Sequence, residues 1–140
     1  VYEIKEIGQQ IALQDNQCTA NPIFLVEQKE RLYGFDENCG EGPVWIDSDG
    51  YEASVEVSEK LEDDYTSDFT EPDFWTRTFY NDCWRFVTVF FTEKAARQYI
   101  KDNAHHFKYP HNEARVFVDS LNRNSEMKAV RNHLIGLANE

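Results

Sequence analysis

Four groups of side chains in this chain have types and spacings that could do chemistry. The first is Asp47-Ser48-Asp49-Gly50 with Glu56 downstream. Aligned on the turn glycine of a calcium loop, it sets Asp47, Asp49 and Glu56 at ligand positions. The first ligand position then falls on Trp45, which has no oxygen to give, and an Asp-Gly turn after a strand accounts for the same residues more simply. The second group is His105, His106 and His111 with Asp102 nearby. Adjacent histidines diverge on most backbones, and neither an HExxH nor a Cys/His zinc pattern is present, so these residues read as a solvated loop after a helix. The third group is Glu62-Asp63-Asp64, of the type that holds magnesium for phosphodiester chemistry. A nuclease also needs a basic groove, and bases are nearly absent around these acids. The fourth is Cys83, which lies beside Trp84 and suits a small buried side chain; a thiol nucleophile would need a base and an orienting group. No glycine-rich phosphate loop exists among the six glycines. The residues therefore assign no catalytic role, no cofactor and no metal.

Charge is more informative than any motif. From Asp36 to Asp73 the chain carries fourteen acids and a single base, Lys60, whereas the remaining residues hold thirteen bases and twelve acids. The whole excess of −12 thus sits in segment 36–73. Direct nucleic-acid binding is disfavoured, because phosphate contacts require a basic surface. An acidic face attracts basic surfaces instead and steers encounters with them. Crowding carboxylates within a Debye length of about 8 Å costs stability that interspersed lysines would avoid, which favours a partner-binding role for this segment.

The elements that must position these groups follow from pattern. Length and an apolar content of 41% fit one domain, residues 1–140, with a real core. Ile4, Ile7 and Ile11 mark an N-terminal helix over 2–15, weakened by Gly8. Runs 23–28 and 31–35 predict strands joined by a hairpin at Lys29-Glu30, and 44–47 a short third strand. Ser58 caps a helix bearing Leu61 and Tyr65 on one face. Trp75–Tyr80 and Trp84–Phe91 predict a second strand pair turned at Asn81-Asp82, the latter strand central in the sheet. Thr92 caps a helix over 93–104, Ala114–Asp119 is a last strand, and Asn124 or Ser125 caps a final helix. The expected fold is α+β: a mostly antiparallel sheet of five to six strands with three to four helices packed on it. The last strand could pair parallel with the central one through a right-handed crossover. Three cysteines without CxxC spacing and no secretory leader suggest reduced thiols in a cytoplasm. The longest apolar run is far short of a membrane helix, so no membrane association is expected.

The stretch Pro22–Asp36 followed by Val44-Trp45-Ile46-Asp47 resembles a family of small, uncharacterised phage- and prophage-encoded proteins. Trp84-Arg85-Phe86-Val87-Thr88, Phe91-Thr92-Glu93, Val116–Ser120 and Arg123-Asn124 fit the same pattern. The resemblance carries over no functional residue. It implies a protein made inside a bacterial host cell from a mobile element, and by analogy small acidic proteins of such elements often inhibit host nucleic-acid-binding machinery, CRISPR effectors and restriction enzymes included.

These readings converge on a non-enzymatic binding protein whose acidic face docks on a basic, nucleic-acid-binding surface of a host protein by phosphate mimicry. The expected contact residues are Asp47, Asp49, Glu56, Glu59, Glu62, Asp63 and Asp64, with Trp45, Tyr65 and Trp75 as aromatic anchors. Two other classes remain open on sequence alone: a small metal-dependent hydrolase using the same carboxylates, and an accessory protein that self-associates through exposed aromatic strands.

Overall fold

A computed structural model of the chain describes residues 3–68, 74–108 and 110–140. Pro22 opens β1 (Pro22–Phe35), and Pro43 opens β2 (Pro43–Ile46). Proline is tolerated at these first positions because its missing N–H leaves the interior of the ladder intact. The third strand, β3 (Thr76–Phe90), and β4 (Ala114–Ser120) complete one open antiparallel sheet in the order β2-β3-β1-β4. Four α-helices accompany it: α1 (Ile4–Leu13), α2 (Val55–Asp68), α3 (Glu93–Asp102) and α4 (Ser125–Ala138), with a 3₁₀ turn at Ala104–Phe107. The fold is therefore α+β.

The expected count of five to six strands is corrected to four, because both predicted hairpins are continuous strands. A two-residue hairpin turn needs positive φ at one or both of its central positions. The non-glycine residues with positive φ are Gln17, Cys18 and His111, so neither Lys29-Glu30 nor Asn81-Asp82 turns the chain. Their polar side chains serve long-range partners instead: Lys29 pairs with Glu113, and the Asn81 amide donates to the Cys39 carbonyl. The predicted parallel crossover is corrected as well. β4 runs antiparallel to β1, from Pro22 opposite Ser120 to Gln28 opposite Ala114.

The chain divides into two compact units, with the boundaries inside its two long strands. One compact unit comprises Val1–Glu30 with Trp84–Glu140, and the other Arg31–Cys83. In the first, Phe24, Val26 and Ala96 form the buried centre, with Val87, Phe90, Tyr99, Ile100, Val116 and Val118 packed around it. Thr92 caps α3 by accepting from the Ala95 N–H at 3.2 Å, and Asn124 caps α4 by accepting from the Met127 N–H at 3.0 Å. α1 packs on α4 at Gly8, where an added Cβ would run into the Leu134 carbonyl. Among its described residues the second unit holds one fully buried large apolar side chain, Trp45, which is 1% exposed.

Candidate functional site

The second unit is organised by two arginines. Arg31 makes a two-point contact with Asp82, Nε to Oδ1 at 2.8 Å and NH2 to Oδ2 at 2.9 Å. Its NH1 donates to Glu52 at 3.1 Å, and the same Glu52 oxygen accepts from the Tyr33 hydroxyl at 2.8 Å. The guanidinium lies 3.6 Å from the centre of the Tyr80 ring. Burial opposes the charge on Arg31, but the bonds to Asp82 and Glu52 outweigh it and hold its pKa above the usual arginine value. Burial, and then the bond to Glu52, push the Tyr33 phenol upward.

Arg77 performs the second task. Its Nε donates to Glu62 at 2.7 Å, while the indole N–H of Trp45 donates to the same carboxylate oxygen at 2.9 Å. The Arg77 bond holds the Glu62 carboxyl below the ordinary range, although burial works the other way. Tyr65 meets the Trp45 ring edge-on at 5.8 Å, and Arg77 lies 4.7 Å from the Tyr65 ring centre. One side of α2, formed by Ser58, Leu61, Glu62 and Tyr65, is thereby half-buried.

The opposite side of α2 is acidic and open to solvent. Glu56, Glu59, Asp63 and Asp64 are all exposed, and among the described residues none of them has an ion-pair partner. Lys60 is the one base on that side. At a rise of about 1.5 Å per residue, the row from Glu56 to Asp64 covers about 12 Å. Ser58, Glu59, Glu62 and Asp63 line a shallow open recess of about 410 Å³.

The charge count sharpens on these boundaries. Unit Arg31–Cys83 contains fifteen acids and three bases, a net of −12, whereas the other unit holds eleven of each. Arg31 and Arg77 are committed to Asp82, Glu52 and Glu62, so the excess lies on carboxylates outside those two clusters.

The expected contact residues separate into two kinds. Glu59, Asp63 and Asp64 stand with Glu56 on the exposed side of α2. Glu62 and Trp45 do not: both are turned inward and bonded to each other. Helical periodicity carried this signal for Glu62, since positions 61, 62 and 65 share one face. Asp47 accepts from the N–H groups of Asp49 and Tyr51 at 2.9 and 3.0 Å, and Gly50 takes a φ of 86°, so the Asp47–Gly50 segment is a tight turn with Asp49 at its exposed tip. Trp75 is half-buried against Phe74, rings 5.0 Å apart. Among the described residues, Tyr51 and Phe74 are the large aromatic rings this unit turns to solvent, and no motif in the sequence marks either. Asp73, Glu71 and the rest of 69–73 lie outside the described residues.

The helix expected to be capped at Ser58 begins four residues earlier, at Val55. Ser54 accepts from the Val57 N–H at 3.3 Å, and its carbonyl from Ser58 at 2.8 Å. Cys83, expected to be buried, is exposed, as are Cys18 and Cys39. A bond to Asp36 raises the Cys39 thiol, which lowers its thiolate fraction. His105 and His106 are exposed, with ring centres 4.0 Å apart. Among the described residues, no three His, Cys, Asp or Glu side chains come together as a cation site, and no helix is long and apolar enough to cross a membrane.

A scan against protein-family models found no match, and neither did searches of curated proteins and of solved structures.

Proposed function

We propose that the protein is a non-enzymatic binding protein whose Arg31–Cys83 unit docks on a basic surface of another protein. The exposed row Glu56, Glu59, Asp63 and Asp64, with Asp49 at the neighbouring turn, stands in for the phosphates of a nucleic-acid backbone. In the setting that the family resemblance implies, the target is a host nucleic-acid-binding protein such as a CRISPR effector or a restriction enzyme, and docking inhibits it.

One observation carries the reading: among the described residues, Glu56, Glu59, Asp63 and Asp64 are exposed and have no ion-pair partner. The unit's two arginines are spent on other acids. Glu59 and Asp63 also stand four residues apart on the exposed side of α2, where like charges repel. Retaining unpaired acids at a cost in stability is what a surface selected for electrostatic complementarity would do.

The test uses the full chain as bait in host lysate at low and high salt, with duplex DNA as competitor. Nucleic-acid-binding proteins should be captured at low salt, released by salt and displaced by DNA. The triple variant Glu59→Lys, Asp63→Lys, Asp64→Lys should capture none of them. Capture that ignores salt, or that survives the triple substitution, overturns electrostatic docking.

A further inference from the structure

The two edges of the sheet are built differently. β2 is four residues long and begins with proline, which blunts an edge. β4, at the other end of the strand order, is seven residues long, Ala-Arg-Val-Phe-Val-Asp-Ser, and contains neither proline nor lysine. Its partner β1 covers one side only.

Backbone alternation tells which groups face that open side. The bonds flanking the ladder, Lys29 N–H to the Glu113 carbonyl and Leu121 N–H to the Asn21 carbonyl, are both 2.8 Å. Residues 113 and 121 therefore direct their polar groups to β1, and by the period of two so do Arg115, Phe117 and Asp119. The N–H and C=O groups of Ala114, Val116 and Val118 point away from β1, to the edge, whereas the Ser120 N–H donates to the Asp119 carboxylate at 2.7 Å. Side chains alternate in the same period. Val116 and Val118 enter the core with Phe24 and Val26, while Arg115, Phe117 and Asp119 share the opposite face. On that face Phe117 is 42% exposed, and Arg115 bonds Glu27 at 2.8 Å with its guanidinium 4.2 Å from the Trp84 ring centre.

We propose that β4 pairs antiparallel with β4 of a second copy of this chain, about a two-fold axis at Phe117. The strand is complementary to itself in that register. Arg115 stands opposite the second copy's Asp119, Val116 opposite Val118, Phe117 opposite Phe117, and Asp119 opposite Arg115. Val116 and Val118 carry the outward N–H and C=O groups, so they form the hydrogen-bonded pairs. Arg115, Phe117 and Asp119 fall at the non-hydrogen-bonded positions, where Cα atoms approach to about 4.5 Å and side chains interact most closely. Odd shifts of register are excluded, because they set inward-bonding residues against outward-bonding ones. Moving the axis to Val116 or Val118 places Arg115 or Asp119 against Phe117, and the charges lose one another. Only the axis at Phe117 satisfies the backbone, the two ion pairs and the exposed ring together. The result is an isologous dimer with one sheet running through both copies. It involves unit Val1–Glu30 with Trp84–Glu140 alone, and it stands or falls separately from what the acidic unit binds.

Sedimentation velocity on the full chain should show a monomer–dimer equilibrium that responds to concentration. Asp119→Arg sets like charges opposite each other twice across the axis, and so does Arg115→Asp. Each should weaken dimerisation by about tenfold or more. An equimolar mixture of the two variants should recover dimers, since each strand again faces its complement. In a separate variant, Phe117→Cys, mild oxidation should link position 117 of one copy to position 117 of the other, because that Cα separation suits a disulfide; peptide mapping separates this link from any made by Cys18, Cys39 or Cys83. A chain that stays monomeric at every concentration overturns the proposal. So does a dimer indifferent to both charge reversals, a mixture of correctly folded variants that fails to pair, or absence of the 117–117 link.

Discussion

The two units of this chain solve the problem of staying folded by opposite means. Val1–Glu30 with Trp84–Glu140 has balanced charge and buries Ile11, Ile23, Phe24, Val26, Ala96 and Leu121. Among its described residues, Arg31–Cys83 buries Trp45 alone of its large apolar side chains and relies on charge-assisted bonds around Arg31 and Arg77. Apolar burial is insensitive to salt and to protonation, whereas ion pairs with partly exposed partners answer to both. The lesson is that the unit with the acidic surface is also the one whose interior depends on charge, so a single change of solution acts on its stability and its docking together.

Substitutions at the two centres give the widest contrast. Phe24→Ala removes a ring from the apolar core and should cost about 3–5 kcal/mol, with little change between low and high salt. Arg31→Ala removes the guanidinium that bonds Asp82 and Glu52, in a site where the arginine side chain is 11% exposed. It should cost about 3 kcal/mol, less at high salt, with hydrogen exchange rising first across 31–83. Equal salt dependence of the two variants in denaturant titrations would erase the contrast.

Acid provides the next test. The Glu62 pKa is lower folded than in the unfolded chain, so the unfolded chain takes up its proton first as the pH falls. The stabilisation from Glu62 is complete above about pH 4.5, the ordinary glutamate value, and disappears as the pH drops through the depressed one. Glu62→Gln keeps an acceptor for the Trp45 indole but loses the ion pair. It should cost about 1 kcal/mol at neutral pH and flatten the acid limb of the stability curve. An unchanged acid limb would show that Glu62 does not couple protonation to folding.

The smallest effect is expected on the open side of α2. Asp63→Lys with Asp64→Lys removes the like-charge neighbour four residues after Glu59 and should leave thermal stability unchanged or raise it by about 0.5 kcal/mol. A marked loss of stability would mean that these acids hold the fold, against the proposed docking role.

What could be read in advance was local. The caps at Thr92 and Asn124 bond three residues ahead, and the Asp47–Gly50 turn closes on itself, so each is written in a few adjacent positions. The hairpin predictions failed where the partner was distant. Asn81-Asp82 resembles a turn by polarity, yet Asp82 is polar because Arg31, on another strand, needs an acceptor. Trp45 was equally illegible: an indole beside acidic residues suggests an exposed anchor until Glu62, Arg77 and Tyr65 are seen to close around it. The charge imbalance was visible from the start. Its restriction to a compact unit, with two arginines withdrawn into the interior, became visible only with the fold.

The clasp between Arg31 and Asp82 joins the first residue of the acidic unit to its penultimate one. A peptide whose ends are already held together has forfeited most of the entropy that closing a loop demands. In this chain the closure falls on two long strands, so residues inserted at the exposed tip of the Asp47–Gly50 turn would add little to it.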